Sequence, residues 1–378
     1  MKEWYLVNNG RIVFPEDFPK IFSSDGKYLI SRFYGKDYYF EMSGESMYSA
    51  VKGLEKDTGR DYSEYRDRIV KAITERMKAC NGVLYHNSLI PGKHDTQLRA
   101  TNSALRVLIL AKLDGYDVLN EIEHLLPFHF QFYMEWGGGV WFCHDQSEYE
   151  KEIRSCQLKT RVWDKEKHNT LTLNTHLDSI NTLLLLSKHK KDLGLNDIEA
   201  YEALLERGLY ALNTLINKKT NGFFRSLLQT FDKQFCLQNA NKNPLAHFIV
   251  RAHDRFIHPQ LYKNLTPVFF FNYGYIARDM AVKSRHIDYL PANITDLLRC
   301  YSLLKESSRF SSALNIEKMK AIIDKAVTLI FELDSMYNSE NDLAWKCEIK
   351  QLSDHLGLNY HYPCTWEQLT YSSFTSFR

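Results

Sequence analysis

The chain reads as an all-α protein, an (α/α) toroid or barrel of helical hairpins carrying a small extended or β-hairpin segment at its N-terminus. Three stretches predict this. Residues 170–187 open with hydroxyl side chains, Asn174 and His176, and then become a strongly apolar helix. Residues 100–110 and 289–298 repeat the design more weakly. A helix with a polar first turn and an apolar body fits inside a shell of other helices, its polar end toward a cleft. Recurrence of that pattern predicts one pocket at one end of a toroid.

Composition supports a large core. Of 378 residues, 44% are hydrophobic and 25% charged, which excludes global disorder. A net charge of +2 gives no global argument for nucleic acid, so none is expected as a partner. The 23 Tyr and 22 Phe serve helix packing or, in a sharper reading, a groove on which sugar rings stack. Seven cysteines without a Cys-x-x-Cys predict reduced thiols, with neither a disulfide framework nor a structural zinc. The first ten residues lack a signal-peptide core, and no run approaches the ~20 apolar residues of a membrane span. A cytoplasmic protein with no membrane insertion is the expectation.

Residues 1–45 contain β-like runs at 10–14 and 27–34, punctuated by Gly26, Gly35, Pro15 and Pro19, and form an extended segment packed on the body. The toroid domain spans 46–358. Within it, Ile69, Val70, Ile73 and Met77 recur at helical spacing over 61–80. Helices are further expected at 102–113, at 118–132 with a break at Pro127, and at 173–190, 197–217, 267–282, 291–305 and 316–338. A short hairpin is expected within 223–235, and residues 359–378 read as a surface tail. No tight repeat supports a solenoid. The long segments 140–170 and 232–266 are rich in His, Asp, Arg and aromatics and are expected to form the mouth of the pocket.

Three clusters carry candidate chemistry. Trp141, His144, Asp145 and Glu148 follow the glycine turn 137–139, where backbone can approach a ligand closely; an ordinary surface loop is the plainer reading. Glu166, His168, Asn174, His176 and Asp178 surround a helix start, whose positive dipole end favours an anion such as a carboxylate, with Arg161 among the basic residues before it. Asn174 there also suits a simple cap. Arg285, His286, Asp288, Tyr289 and Asn293 mark a third helix entrance, with Tyr273 and Arg278 upstream. The histidines 247, 253 and 258 lack metal-ligand spacing, so no metal is expected. Serine-hydrolase and Rossmann signatures are absent from the sequence.

At these residues the chain resembles the C-terminal helical domain of D-glucuronyl C5-epimerases. Glu166 precedes the Leu173-Asn174 helix entrance, 183–186 is the apolar body, 201–217 the next helix, and Asn221-Gly222-Phe223-Phe224 the turn. Tyr289-Leu-Pro-Ala-Asn-Ile-Thr-Asp-Leu is similar to the family's later helix entrance, with Leu290 where the family has His. The resemblance covers residues 100–305. It implies proton transfer by Glu166 and Tyr289 beside a uronate carboxylate, cationic stabilisation by Arg161 and Arg285, and no cofactor.

The expectation is therefore a carbohydrate-active enzyme on an acidic or polar glycan, of epimerase or lyase type. Its catalytic residues would be Glu166, Tyr289 and His176. Trp141, His144, Asp145, Arg161, Asn174, Asp178, Arg285 and Asn293 would bind substrate. The rivals are a glycoside hydrolase, needing two facing carboxylates about 5–9.5 Å apart, and a non-catalytic glycan- or protein-binding toroid. A glycan or sugar is the expected partner, with a homo-oligomer left open.

Overall fold

The computed structural model describes residues 6–8, 11–13, 15–33, 36–39, 41–80, 84–87, 94–144, 171–195, 198–218, 223–238, 269–278, 289–333 and 340–358, together with 245, 248, 249, 252, 253, 256 and 360. The chain is mostly helical. Its described strands form four two-stranded antiparallel hairpins: β1 (Leu6–Asn8) with β2 (Arg11–Val13), β3 (Ile30–Phe33) with β4 (Lys36–Tyr39), β5 (Tyr85–Asn87) with β6 (His94–Thr96), and β7 (Tyr133–Trp136) with β8 (Gly139–Phe142). The N-terminal segment is thus hairpin-bearing as expected, and helix begins at Glu41.

Five helices pack in series. They are α1 (Glu41–Thr58), α3 (Leu98–Leu113), α6 (Leu173–Lys188), α10 (Leu290–Glu306) and α12 (Glu340–His355), each against the next, while β1 and β2 lie against both α12 and α1. Around this series stand α2 (Ser63–Ala79) on α1 and α3, α4 (Leu119–Leu125) and α5 (Phe128–Gln131) on α3, α8 (Glu199–Asn217) on α6 and β8, and α11 (Ile316–Glu332) on α10. The short α7 (Lys190–Leu193) follows α6, and α9 (Phe223–Gln238) follows α8. Amphipathic periodicity explains the outer helices. In α11, Met319, Ile323, Ala326, Val327 and Ile330 are buried at helical spacing, and Asn315 caps the helix by accepting from Lys318 N at 3.0 Å.

The inner helices differ: α3, α6 and α10 are buried nearly all round, and buried polar residues of the five meet in one row. Glu45 accepts both Nε and Nη2 of Arg106 at 2.7 Å, while Arg106 Nη1 reaches Asp178 Oδ1 at 3.0 Å and Thr182 Oγ1 at 2.6 Å. Asn102 Nδ2 donates to Asp178 Oδ2 at 2.9 Å. The row continues through Arg99–Asp296 at 3.2 Å, Asn181 Nδ2 to Asp296 O at 2.9 Å, Arg299–Asp296 at 3.6 Å and the Arg299–Glu348 pair. Glu45 opposes Ser103 and Arg106, and Tyr48 and Lys52 further on oppose Asp114, so α1 and α3 run in the same direction. Asn102 opposite Asp178 and Arg106 opposite Thr182 give the same result for α3 and α6.

Burial alone would raise the Glu45 carboxyl, but Arg106 overrides it and holds Glu45 below the usual carboxylate range. Asp296 goes the other way. Burial raises it, Arg99 opposes, and Asp178 adds to the rise. The row therefore sets three guanidiniums (Arg99, Arg106, Arg299) against four carboxyls (Glu45, Asp178, Asp296, Glu348), with Asp296 the carboxyl that burial drives toward its proton.

Two expected elements are replaced. Residues 223–235 were expected to hold a hairpin but belong to helix α9, because Leu227, Leu228 and Phe231 recur at helical rather than alternating spacing. A helix was expected over 267–282. The described part, 269–278, is instead a tight turn, with Phe271 N donating to Tyr275 O, Ala277 N to Phe269 O, and an isolated bridge between Phe270 and Ile276. Gly274 causes it: φ is +100°, and a Cβ there would lie 2.2 Å from Lys325 O on α11. Helix α12, not anticipated as an element, completes the inner series.

Breaking the row should cost far more than neutralising it. Arg106→Met, which strands Glu45 and Asp178, is expected to lose about 3–5 kcal/mol in urea unfolding, and adding Glu45→Leu should recover part of that loss. An Arg106→Met protein as stable as the parent would show that the row does not hold these helices together.

Candidate functional site

The first turns of α3, α6 and α10 converge. None of the three has a side-chain cap: the residues preceding them, Gln97, Thr172 and Tyr289, make no capping hydrogen bond. Two of the orphan N–H groups instead find backbone carbonyls from elsewhere. Leu98 N donates to His144 O at 3.1 Å, at the end of β8, and Leu173 N donates to Arg278 O at 2.8 Å, at the end of the 269–278 turn. Asn293 Nδ2 donates to Ala277 O at 3.4 Å. Leu171, just before α6, takes φ +57°, a strained value for a non-glycine residue.

These bonds bring separate polar side chains into one neighbourhood. His144 Nδ1 lies 2.7 Å from Thr175 Oγ1 on the first turn of α6. The Arg278 guanidinium stands 4.7 Å from the centre of the Tyr289 ring, a cation–π contact. Asn174 Oδ1, Asn293 Oδ1 and Arg278 Nε are buried atoms with no hydrogen-bond partner among the described residues. Buried polar atoms are nearly always paired, so these three around a single backbone junction make it a candidate place for a ligand or water, as other such atoms in the core, Trp141 Nε1 and His176 Nε2 among them, do not by themselves. Arg99, in the first turn of α3, is the member of the ionic row with most solvent contact, at 13% side-chain exposure against 2% for its partner Asp296.

Of the residues expected from sequence, His144, Asn174, Tyr289 and Asn293 thus come together. Asn174 does not cap α6; it sits inside the first turn, and the capping position belongs to Thr172. Asp178 is held in the ionic row by Arg106 and Asn102 and not at the mouth. His176 and Trp141 are instead packed against each other. Their rings stack at 3.8 Å and 8°, both fully buried, and His176 Nδ1 accepts from Phe142 N at 3.2 Å. Burial pushes His176 down to about 3, so it stays neutral and does not suit proton transfer near neutral pH. Trp141 also stacks on Phe269 at 5.6 Å, which leaves no ring face for a sugar. The glycine turn serves packing as well. Gly137 and Gly138 take φ +60° and +84° between β7 and β8, and a Cβ on Gly139 would fall 2.2 Å from Arg207 O of α8. Asp145, Glu166, Arg161 and Arg285 lie outside the described residues, as do Glu148, His168, His286 and Asp288.

Sequence reasoning noted Arg278 only as a neighbour, and missed Arg99, Arg106, Asp296 and Arg299. Their signal was present: each is a charge set in an apolar helix body or beside a glycine turn. Among the described residues no three His, Cys, Asp or Glu side chains gather as metal ligands; His253 instead lies 3.9 Å from Asp232 of α9. No helix among them is long and apolar enough to cross a membrane. Comparison with family models, with characterised proteins and with solved structures finds no match to this chain.

Acid should unfold the protein through its buried histidines. Burial lowers His176 to about 3 and His129 to about 4, against an unfolded value of about 6.5. Folded values below unfolded ones give stability that is full above pH 6.5 and lost as pH falls toward 4 and 3. The two together predict a loss on the order of 5 kcal/mol between pH 7 and 4, seen as a steep fall in Tm that His176→Phe makes shallower. A Tm flat over that range would refute it. Gly274→Ala should cost on the order of 2 kcal/mol and loosen the turn that carries Arg278. Equal Tm for that variant would mean that the turn yields without strain.

Proposed function

We propose that the chain is a carbohydrate-active enzyme on an acidic glycan, abstracting the C5 proton beside a uronate carboxylate. The observation that carries the reading is the Arg278–Tyr289 pair at the meeting of the α6 and α10 first turns, with unmatched polar atoms of Asn174, Asn293 and Arg278 around it. The serial packing of five inner helices, closed by β1 and β2 between α12 and α1, supports an (α/α) toroid whose mouth this is.

In this reading Arg278, with Arg99 behind it, pairs the substrate carboxylate. The positive ends of two helix dipoles act in the same sense. Removal of the C5 proton sends the electron pair into the carboxylate, and these cations stabilise the enolate-like charge as it forms. Tyr289 moves a proton on one face, and Glu166, the partner expected from the family resemblance, serves the other. Return of a proton to the opposite face gives the epimer; expulsion of the C4 oxygen substituent gives elimination. Asn174, Asn293 and His144 hold sugar hydroxyls. No cofactor enters this chemistry.

The hydrolase alternative needs two open carboxylates across a cleft. Asp178 and Asp296 are neighbours, but both are buried and each faces an arginine, so this pair does not supply them; Asp145, Glu166 and Asp288, the other candidates for that role, lie outside the described residues. A non-catalytic glycan-binding toroid is the remaining outcome.

Deuterium uptake from heavy water into uronate-containing glycans tests the proposal. Exchange at C5 is expected, with Tyr289→Phe lowering its rate by about 10²–10⁴-fold at unchanged Tm. Arg278→Gln should raise KM for acidic glycans more than for neutral ones. Glycan binding without exchange would leave a binding module; release of reducing ends without exchange would favour hydrolysis.

A further inference from the structure

A groove of about 260 Å³ between α8, α11 and the 269–278 turn takes no part in the reaction proposed at the helix starts. Lys318, Ala321, Ile322 and Lys325 line it from α11. Their spacing, i, i+3, i+4 and i+7, is that of one helix face, so a single face supplies both cations and an apolar floor. Leu215 and Ile216 of α8 continue the apolar wall. Of the aromatic residues in the lining, Phe269 stacks on Trp141 and Phe271 packs on Tyr275, which leaves the half-buried Phe270 as the ring open to the groove.

The charge in the groove has one sign. Lys218, Lys318 and Lys325 line it, with no acidic residue among the described residues of the lining. Lys218 is explained by the fold: it follows the last turn of α8, where a cation complements the negative end of the helix dipole. Lys318 is not so explained. It sits in the first turn of α11, where the dipole disfavours a cation. On α11, Asp324 goes to Lys320 and Tyr360 and Glu332 goes to Lys233, while Lys318 and Lys325 form no ion pair among the described residues.

We propose that this groove binds a small organic anion, with an acidic head of phosphate or carboxylate type on a single-ring body. Lys318 and Lys325 pair the head, and Phe270, Ile322 and Leu215 pack the ring. Volume sets the size: an apolar cavity of about 150 Å³ takes one benzene, and drug-sized ligands occupy roughly 300–1,000 Å³. Charge sets the class. A neutral apolar ligand would bury the lysines beside it without a counter-charge, at a desolvation cost, and a bare inorganic anion would leave the apolar wall in water. The site is independent of the reaction at the helix starts, and either can fail without the other.

Titration calorimetry on the full chain tests it, with phenyl phosphate and phenylacetate as probes against inorganic phosphate and benzyl alcohol. At least one aromatic anion is expected to bind about tenfold or more tighter than either inorganic phosphate or benzyl alcohol, and the tighter of the two identifies the head. Lys318→Gln with Lys325→Gln should weaken that binding by about tenfold or more at unchanged Tm. Ala321→Trp fills the groove from an exposed position and alters no charge, and it should have the same effect. The comparison of probes on the unaltered protein needs no variant. Equal binding of inorganic phosphate or of benzyl alcohol would overturn the proposal, as would aromatic-anion binding that survives both changes. So would the absence of binding by either aromatic anion, whether alone or with a self-association of the chain that Ala321→Trp abolishes.

Discussion

Arg106 fixes the height of three helices at once. Its guanidinium takes both oxygens of Glu45 on α1, reaches Asp178 and Thr182 on α6, and belongs to α3. A fork of donors has only one position that satisfies all of these acceptors, whereas apolar side chains tolerate sliding. Buried ion pairs add little net stability over apolar packing, so register is the better explanation for keeping charge here. The same role passes along the row through Asp296 and Arg299 to Glu348, so α10 and α12 are set relative to the first three. With helix depths fixed, the first turns of α3, α6 and α10 are held together, and their junction is the consequence.

That junction is assembled by backbone more than by side chains. Helix starts that lack caps borrow the carbonyls of His144 and Arg278, so α3 is tied to the end of β8 and α6 to the 269–278 turn. Asn293 on α10 reaches the same turn. A small glycine-dependent turn thereby touches two of the three helices and carries the cation that stacks on Tyr289. The side chains left unmatched at Asn174 and Asn293 remain available for a ligand because the backbone has already met the needs of the helix ends.

Much of the helical body was legible from apolar periodicity: the helices at 98–113, 173–188, 290–306 and 316–332 fall close to their expected bounds. The failures have physical causes. The run 269–276 is aromatic enough to suggest helix, but Gly274 and its contact with α11 decide otherwise. At the site, a polar residue in a first turn was taken to face the cleft. Successive helical residues point about 100° apart, so Asn174 and His176 look to different sides, and it is His176 that enters the stack with Trp141. The ionic row escaped notice because single charges such as Arg106 and Arg299 look like defects in apolar helices until their partners, tens to hundreds of residues away, are brought beside them.

The β1–β2 hairpin lies against α12 as well as α1. Residues 6–13 are therefore neighbours of residues 340–355, and the strands are what span the gap between the first and last inner helices. A ribosome must release the chain through residues 340–355 before this seam can close. Until then the inner faces, with their unpaired carboxylates and guanidiniums, have no complete enclosure, and folding waits on contacts of very large sequence separation. Folding of this body should accordingly be slow, with the nascent chain in need of shielding until helix α12 arrives.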